Sequence, residues 1–213
     1  MKNIVHQKLN LPRYAPVMVL PQAILFPAAI LPLFIFEPRY RAMLNLALEH
    51  DRMFCVAPMK PDVAEAASED DFHHIVGLGM VRACRGNGDG TSHLALQGVA
   101  RVRLTRFIQE SPFRVAEISE LPSIPMESSD ARTAMTKLRR VCVNLQSGGA
   151  FGQMDMDGQL AGIQDPDLLS DIIARTFLRD PEQRQEVFEE VNVAERVELL
   201  LSFLEAKDDA AES

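Results

Sequence analysis

The strongest pattern in the chain is an apolar run, Phe26-Pro27-Ala28-Ala29-Ile30-Leu31-Pro32-Leu33-Phe34-Ile35-Phe36, which passes at Glu37-Pro38 into helical spacing. Pro32 brings no amide hydrogen, so the run predicts an edge or bulged strand rather than a central one with a complete ladder. Pro38 suits the first turn of a helix, where the missing donor would be unpaired in any case. From there Tyr40, Met43, Leu44, Ala47 and Leu48 recur on one face, with Arg39, Arg41, Asn45 and Glu49 opposite, which predicts an amphipathic helix from Pro38 to about His50. Phe34 and Phe36 share one side of an extended strand, so only one alternating set of this run can face a core. The pattern leaves open which set that is.

Beyond this helix the chain is β-rich. Met53–Met59 reads as a short buried strand and Lys60–Phe72 as a solvated acidic loop. His74–Cys84 reads as a strand whose interior glycines, Gly77 and Gly79, mark a bulge or a close backbone approach. Asp89-Gly90 predicts a type I′ hairpin turn into Thr91–Gln97. Gly98–Arg101 is expected to turn the chain into Val102–Ile108, and Phe113–Ile118 alternates with period two. Antiparallel strands in succession around one helix predict an α+β fold, a small, partly closed barrel or curled sheet.

At Leu121–Ser129 two prolines and three serines end the β pattern, placing a boundary between a β-rich unit, 1–122, and a helical bundle with a polar tail, 123–213. Ser128 or Ser129 caps a helix with a Met135, Leu138, Val141, Cys142, Leu145 stripe that stops at Gly148-Gly149. Gln146–Gln164 holds five of the eleven glycines and predicts a mobile segment carrying Phe151, Met154 and Met156. Asp165-Pro166 and Asp180-Pro181 each read as an N-cap followed by proline. Asn192 with Glu195 resembles a capping box ahead of Val193, Val197, Leu200, Leu201 and Leu204.

Charge sharpens this division. Residues 1–120 carry 13 Lys and Arg against 12 Asp and Glu, and the remainder 9 against 18, within a net charge of −8. An acidic chain without a basic cluster is a poor nucleic-acid binder; Arg101, Arg103 and Arg106 are expected to form a solvated stripe on a strand. Three widely spaced cysteines in apolar sequence, Cys55, Cys84 and Cys142, predict reduced, buried thiols. Neither an apolar stretch of membrane-spanning length nor a signal-peptide core is present, which predicts a cytoplasmic protein.

The opening motifs carry a family likeness. Phe26-Pro27, Leu31-Pro32-Leu33 and Ile35-Phe36-Glu37-Pro38-Arg39-Tyr40, with Met43 three residues on, closely resemble the signature of the Lon protease N-terminal domain, in the form that stands alone in bacteria. The acidic loop, the glycines at 77 or 79, Asp89-Gly90, Gly98 with Arg101 and the Leu-rich last helix extend the resemblance from about Pro16 to Glu205. It implies a PUA-type β pseudo-barrel followed by helices, and a non-catalytic module that recognises unfolded or tagged polypeptides, as an adaptor or regulator beside a protease. The candidate contacts are Phe26, Leu31, Phe34 and Phe36 on the opening arm, with Phe151 and Met154 as a second surface.

No Walker A, Gly-x-Ser-x-Gly, His-Glu-x-x-His or Cys-x-x-Cys pattern occurs, and the ATPase and Ser-Lys peptidase of full Lon proteases are not expected. Nor is a cofactor or a metal. His73 and His74 are adjacent, so on a strand they point to opposite faces and cannot share an ion. Two other readings arise from the same residues. An enzyme requires a polar cleft around a group such as Glu37 or His93, and a PUA-like RNA binder requires Arg101, Arg103 and Arg106 to line an open groove.

Overall fold

The computed structural model describes residues 9–147, 160 and 162–211. In chain order the elements are β1 (Tyr14–Leu20), β2 (Ile30–Ile35), α1 (Pro38–Glu49), β3 (Met53–Pro58), β4 (Ile75–Gly86), β5 (Ser92–Gln109), β6 (Arg114–Glu120), α2 (Ser128–Ser147), α3 (Pro166–Phe177), α4 (Pro181–Glu189) and α5 (Val193–Ala211). The sheet order is β2-β5-β4-β3-β1-β6, and β6 also pairs with β5. Five strands thus close a circuit, while β2 hangs outside it on the N-terminal half of β5, so the sheet is not a clean barrel. β1 and β3 are parallel and the other pairs antiparallel.

Two apolar clusters fill this frame. One lies inside the circuit and joins Val17, Cys55, Phe72, Leu78, Val102 and Leu104. The other covers the opposite sheet face and runs without a break through α1 into the helices. The stripes expected of the helices are the ones buried: Tyr40, Met43, Leu44 and Ala47 on α1, Met135, Leu138, Val141, Cys142 and Leu145 on α2. The aspartate and asparagine cap sites form where the sequence places them, but the Ser128 or Ser129 cap does not: α2 already begins at Ser128, and its first bond runs from Ala131 N–H to Glu127 O. Asp165 accepts from the Asp167 N–H, and Asp180 from those of Glu182 and Gln183. Asn192 Oδ1 caps Ala194 N–H, but Glu195 meets the Asn192 side-chain amide rather than its backbone.

Two β-region expectations are corrected, and one strand is additional to those expected. β1 is a strand that the pattern does not reveal, because its residues are buried on both faces and show no alternation. Gly98–Arg101 is no turn: β5 runs through it as one strand of 18 residues. The β4–β5 hairpin is present, but only Gly90 has positive φ, +83°. Gly90 N–H bonds to Asn87 O and Asn87 N–H to Thr91 O, which is a type I turn closed by a left-handed glycine rather than type I′.

Gly77 and Gly98 have a packing role. A Cβ on Gly77 would lie 2.1 Å from Leu25 O, and one on Gly98 would lie 2.1 Å from Phe26 O. The arm between β1 and β2 therefore lies directly on the sheet, and the missing side chains let it do so. Phe26 is buried there, edge-on to Phe188 of α4 with centroids 5.2 Å apart.

The same Phe188 leads to the seam between sheet and helices. Arg101, only 3% exposed, stands over the Phe188 ring and donates Nε to Phe188 O at 2.8 Å. Its Nη1 and Nη2 reach Asp171 Oδ2 at 3.1 Å and Oδ1 at 2.5 Å. Arg196, with no exposed surface, donates to Asp167, to Asp171 Oδ1 at 3.3 Å, to Glu190 O at 2.7 Å and to Ser123 Oγ at 3.2 Å. Burial pushes the Asp171 carboxyl up against the downward pull of the two guanidiniums. Burial and the neighbouring Arg101 lower Arg196. The linker is pinned beside them, Ile124 N–H to Val191 O at 2.8 Å and Val193 N–H to Ile124 O at 3.0 Å.

Asp171→Ala leaves two buried guanidiniums short of a counter-charge, and urea unfolding is expected to show a loss of about 3–5 kcal/mol. Replacing Arg101, Asp171 and Arg196 together by apolar residues of similar size is expected to lose less than the single change. Gly77→Ala and Gly98→Ala drive a methyl into main chain that cannot swing aside, and each is expected to lower stability by about 1–3 kcal/mol. Gly88→Ala, with nothing within 4 Å, stays within about 0.5 kcal/mol in the same melts.

Candidate functional site

β2 has apolar residues on both sides. Ile35 is buried and Leu31 and Leu33 pack on the core, so the odd-numbered set faces inward. The even-numbered set faces out, with Ile30 51%, Phe34 49% and Phe36 58% exposed and Pro32 exposed between them. That settles the alternative the sequence left open. The outward rings are not independent: Phe34 stacks on Phe36 with centroids 5.9 Å apart and lies tilted against His93 of β5 at 4.7 Å. Beside them Pro32, Phe34, Cys84, Arg85 and His93 line a shallow, mostly apolar depression of about 440 Å³.

The main chain of β2 is as informative as its side chains. Gly98 N–H donates to Ala29 O and Gly98 O accepts from Ala28 N–H, both at 2.9 Å, so Gly98 turns both of its polar groups toward β2. Antiparallel pairs alternate, so Leu31, Leu33 and Ile35 turn their polar groups to β5, while Ile30, Pro32 and Phe34 present theirs to the free edge. Pro32 thus removes a donor from the middle of the open edge, a known way of blunting strand addition. The free edge is therefore a poor template for an added strand, and its outward side chains are its distinctive feature.

The structure sorts the sequence candidates. Phe34 and Phe36 are exposed together, and Leu31 is half-buried with its side chain toward the core. Phe26 is corrected: it is a core anchor under the arm, because the glycine-flattened sheet lets that segment sink in. Phe151 and Met154 lie outside the described residues. Ile30 joins the exposed set without having been a candidate, although its parity with Phe34 and Phe36 is the signal that finds it.

The residues of the rival readings sit elsewhere. Arg101 is buried in an ion pair rather than on a solvated stripe, so it cannot line an open groove; it belongs to a network because α3 and α5 close over it. Arg106 pairs with Glu117 at 3.3 Å. Glu37 pairs with Arg39 at 2.8 Å on the surface, and His93 lies against Phe34. A second cleft of about 340 Å³, lined by Pro21, Met59, Lys60, His73, Asp180 and Gln185 among others, sits where the sheet meets α4. In its wall the Gln185 amide donates to Ile75 O and Glu189, and His73 Nδ1 lies 3.2 Å from Glu189 Oε1.

Cys55 and Cys142 are buried and Cys84 half-buried, all three as free thiols. Burial pushes the Cys55 thiol up and that of Cys142 to about 12, so both stay protonated at neutral pH. Among the described residues no group of three or more His, Cys, Asp or Glu is placed to hold a metal, and no helix is long and apolar enough to cross a membrane.

Comparison with known proteins agrees with this architecture. A solved structure, the N-terminal domain of a Mycobacterium avium complex Lon protease, superposes with a TM-score of 0.71 at 16% identity, covering 90% of this chain and 98% of that one. A Lon N-terminal domain protein from Xanthomonas campestris gives 0.64 at 19% identity, covering 89% and 97%. The Lon protease of Desulfosudis oleivorans is 24% identical over 191 residues, 88% of this chain but 23% of its own length; the chain thus spans about a quarter of the curated relatives it matches. The family model of the ATP-dependent protease La (Lon) substrate-binding domain matches residues 14–206, and the chain belongs to that family.

Proposed function

We propose that this chain recognises polypeptides non-catalytically, through the outward face of β2. The observation that carries the reading is the unbroken solvent-facing stripe Ile30, Pro32, Phe34 and Phe36. Contiguous exposed apolar surface on a folded protein marks an interaction site, and its burial against an unfolded chain releases ~25 cal/mol per Å². Family membership supports the same reading, since the matching family is described as a substrate-binding domain. In this proposal the closed five-strand circuit corresponds to a PUA-like pseudo-barrel, and residues 1–122 and 123–213 are its two units. The module acts by presenting polypeptides to a protease or withholding them from it. The buried Arg101 disfavours the RNA-binding alternative.

The experiment is titration of the protein with a reduced, permanently unfolded model polypeptide, followed by fluorescence anisotropy. Wild type is expected to bind at micromolar strength. Phe34→Asp is expected to weaken binding at least ~10-fold, in line with ~1.5–3 kcal/mol for burying such a side chain, with a thermal midpoint close to wild type because Phe34 stands outside the core. Absence of binding by the wild type would overturn the proposal, and so would undiminished binding by the folded variant.

A further inference from the structure

The stripe on β2 continues across two more strands. Phe34 pairs with His93, and His93 pairs with Arg85 of β4. Directly paired residues of a sheet point to the same side, so Phe34, His93 and Arg85 form one row on the exposed face. A second row runs from Ile30 to Gln97, whose Oε1 accepts from Arg82 Nε at 2.6 Å. Arg82 occupies the irregularity between Val81 and Ala83, where a bulge re-aims a side chain. The apolar stripe is thus flanked, two strands away, by two exposed guanidiniums.

Neither cation meets a carboxylate among the described residues. The ion pairs there involve Arg13, Arg39, Arg101, Arg106, Arg114, Arg196 and His73. The acidic group of the nearby hairpin, Asp89, is turned into its own loop, accepting from Thr91 N–H and Oγ1, and it faces Arg41. The positive charge beside the stripe is therefore available to a partner.

We infer that this face selects extended segments in which an apolar or aromatic residue has an Asp or Glu nearby in sequence. The inference rests on the polypeptide-recognition reading and names its substrate class. Two inter-strand spacings put the guanidiniums ~10 Å from the stripe. An extended chain rises ~3.3 Å per residue, so the carboxylate belongs about three positions from the aromatic residue. Complementary charge of this kind adds discrimination and faster association to the area-driven contact, and it excludes basic segments by like-charge repulsion.

The test uses the full chain and three labelled peptides with one common Phe- and Leu-containing centre, flanked by Glu, by Gln or by Lys. Each is titrated with wild type and with the Arg82→Gln/Arg85→Gln variant at about 50 mM and about 500 mM salt, which bracket the range over which screening becomes effective. At low salt the Glu-flanked peptide is expected to bind wild type ~10-fold more tightly than the Lys-flanked one, as two solvent-exposed pairs allow. That preference is expected to vanish in the variant and at high salt, while the Gln-flanked peptide keeps its affinity in both proteins. Equal affinity of wild type for all three peptides would overturn the charge selection and leave polypeptide recognition standing. Failure of every peptide to bind would overturn both. A single-stranded RNA that displaces the Glu-flanked peptide from wild type but not from the variant would also overturn the inference, because the cations would then serve phosphates.

Discussion

A guanidinium with no water around it has to find its hydrogen-bond partners in the protein, and Arg101 and Arg196 find theirs by joining the two halves of the molecule. Arg101 comes from β5, Asp167 and Asp171 from α3, Arg196 from α5 and Ser123 from the linker. The attraction within such a group does little more than offset the desolvation of its members. Its force lies in what it forbids: any other seating of the helices on the sheet would bury the same charges unpaired. Apolar packing between the halves is non-directional and would tolerate sliding. The ion network does not.

That fixed seating is what gives the arm its place. Phe188 is held by Arg101 above and meets Phe26 edge-on, so the segment that leads into β2 is clamped between α4 and the two glycine gaps of the sheet. β2 then emerges at a set height and pairs with the part of β5 that extends beyond the closed circuit. One of its faces completes the main core. The other has nothing of the described chain to cover it. The exposed aromatic pair is thus a consequence of where a rigid frame ends, and its rings are preordered by their mutual stacking and by His93, which limits the entropy lost on contact.

Legibility in the sequence tracks the range of the interaction. The helix caps at Asp165, Asp180 and Asn192 and the buried stripes of α1 and α2 depend on residues within a few positions of one another, and they are readable. The edge character of β2 is readable for the same reason, since Pro32 lacks its donor in any fold. β1 is hidden because burial on both faces removes alternation. Arg101 looks like one of three strand arginines, and only the return of α3 and α5, about 70 and 95 residues later, makes it a buried ion. Gly98 resembles a turn residue, whereas it serves the passage of Phe26 from across the sheet. For the exposed stripe, parity groups Phe34 with Phe36, but which side faces the core is decided by long-range pairing with β5.

An exposed edge strand whose outer face continues into Phe36 as an apolar stripe is a hazard for self-association, and the features that limit the hazard bear on the use proposed for it. Pro32 interrupts the line of donors on the open edge, so a second copy of β2 cannot extend the sheet with a full ladder. Arg82 and Arg85 place like charges on any two copies that meet face to face. The proposed contact is with a partner that brings apolar side chains without requiring a backbone ladder, and negative charge instead of positive. A flexible, unfolded segment meets those conditions more readily than a folded neighbour does. In the proposed reading, the chemistry that would favour an acidic, apolar segment on this face also disfavours a second copy of it.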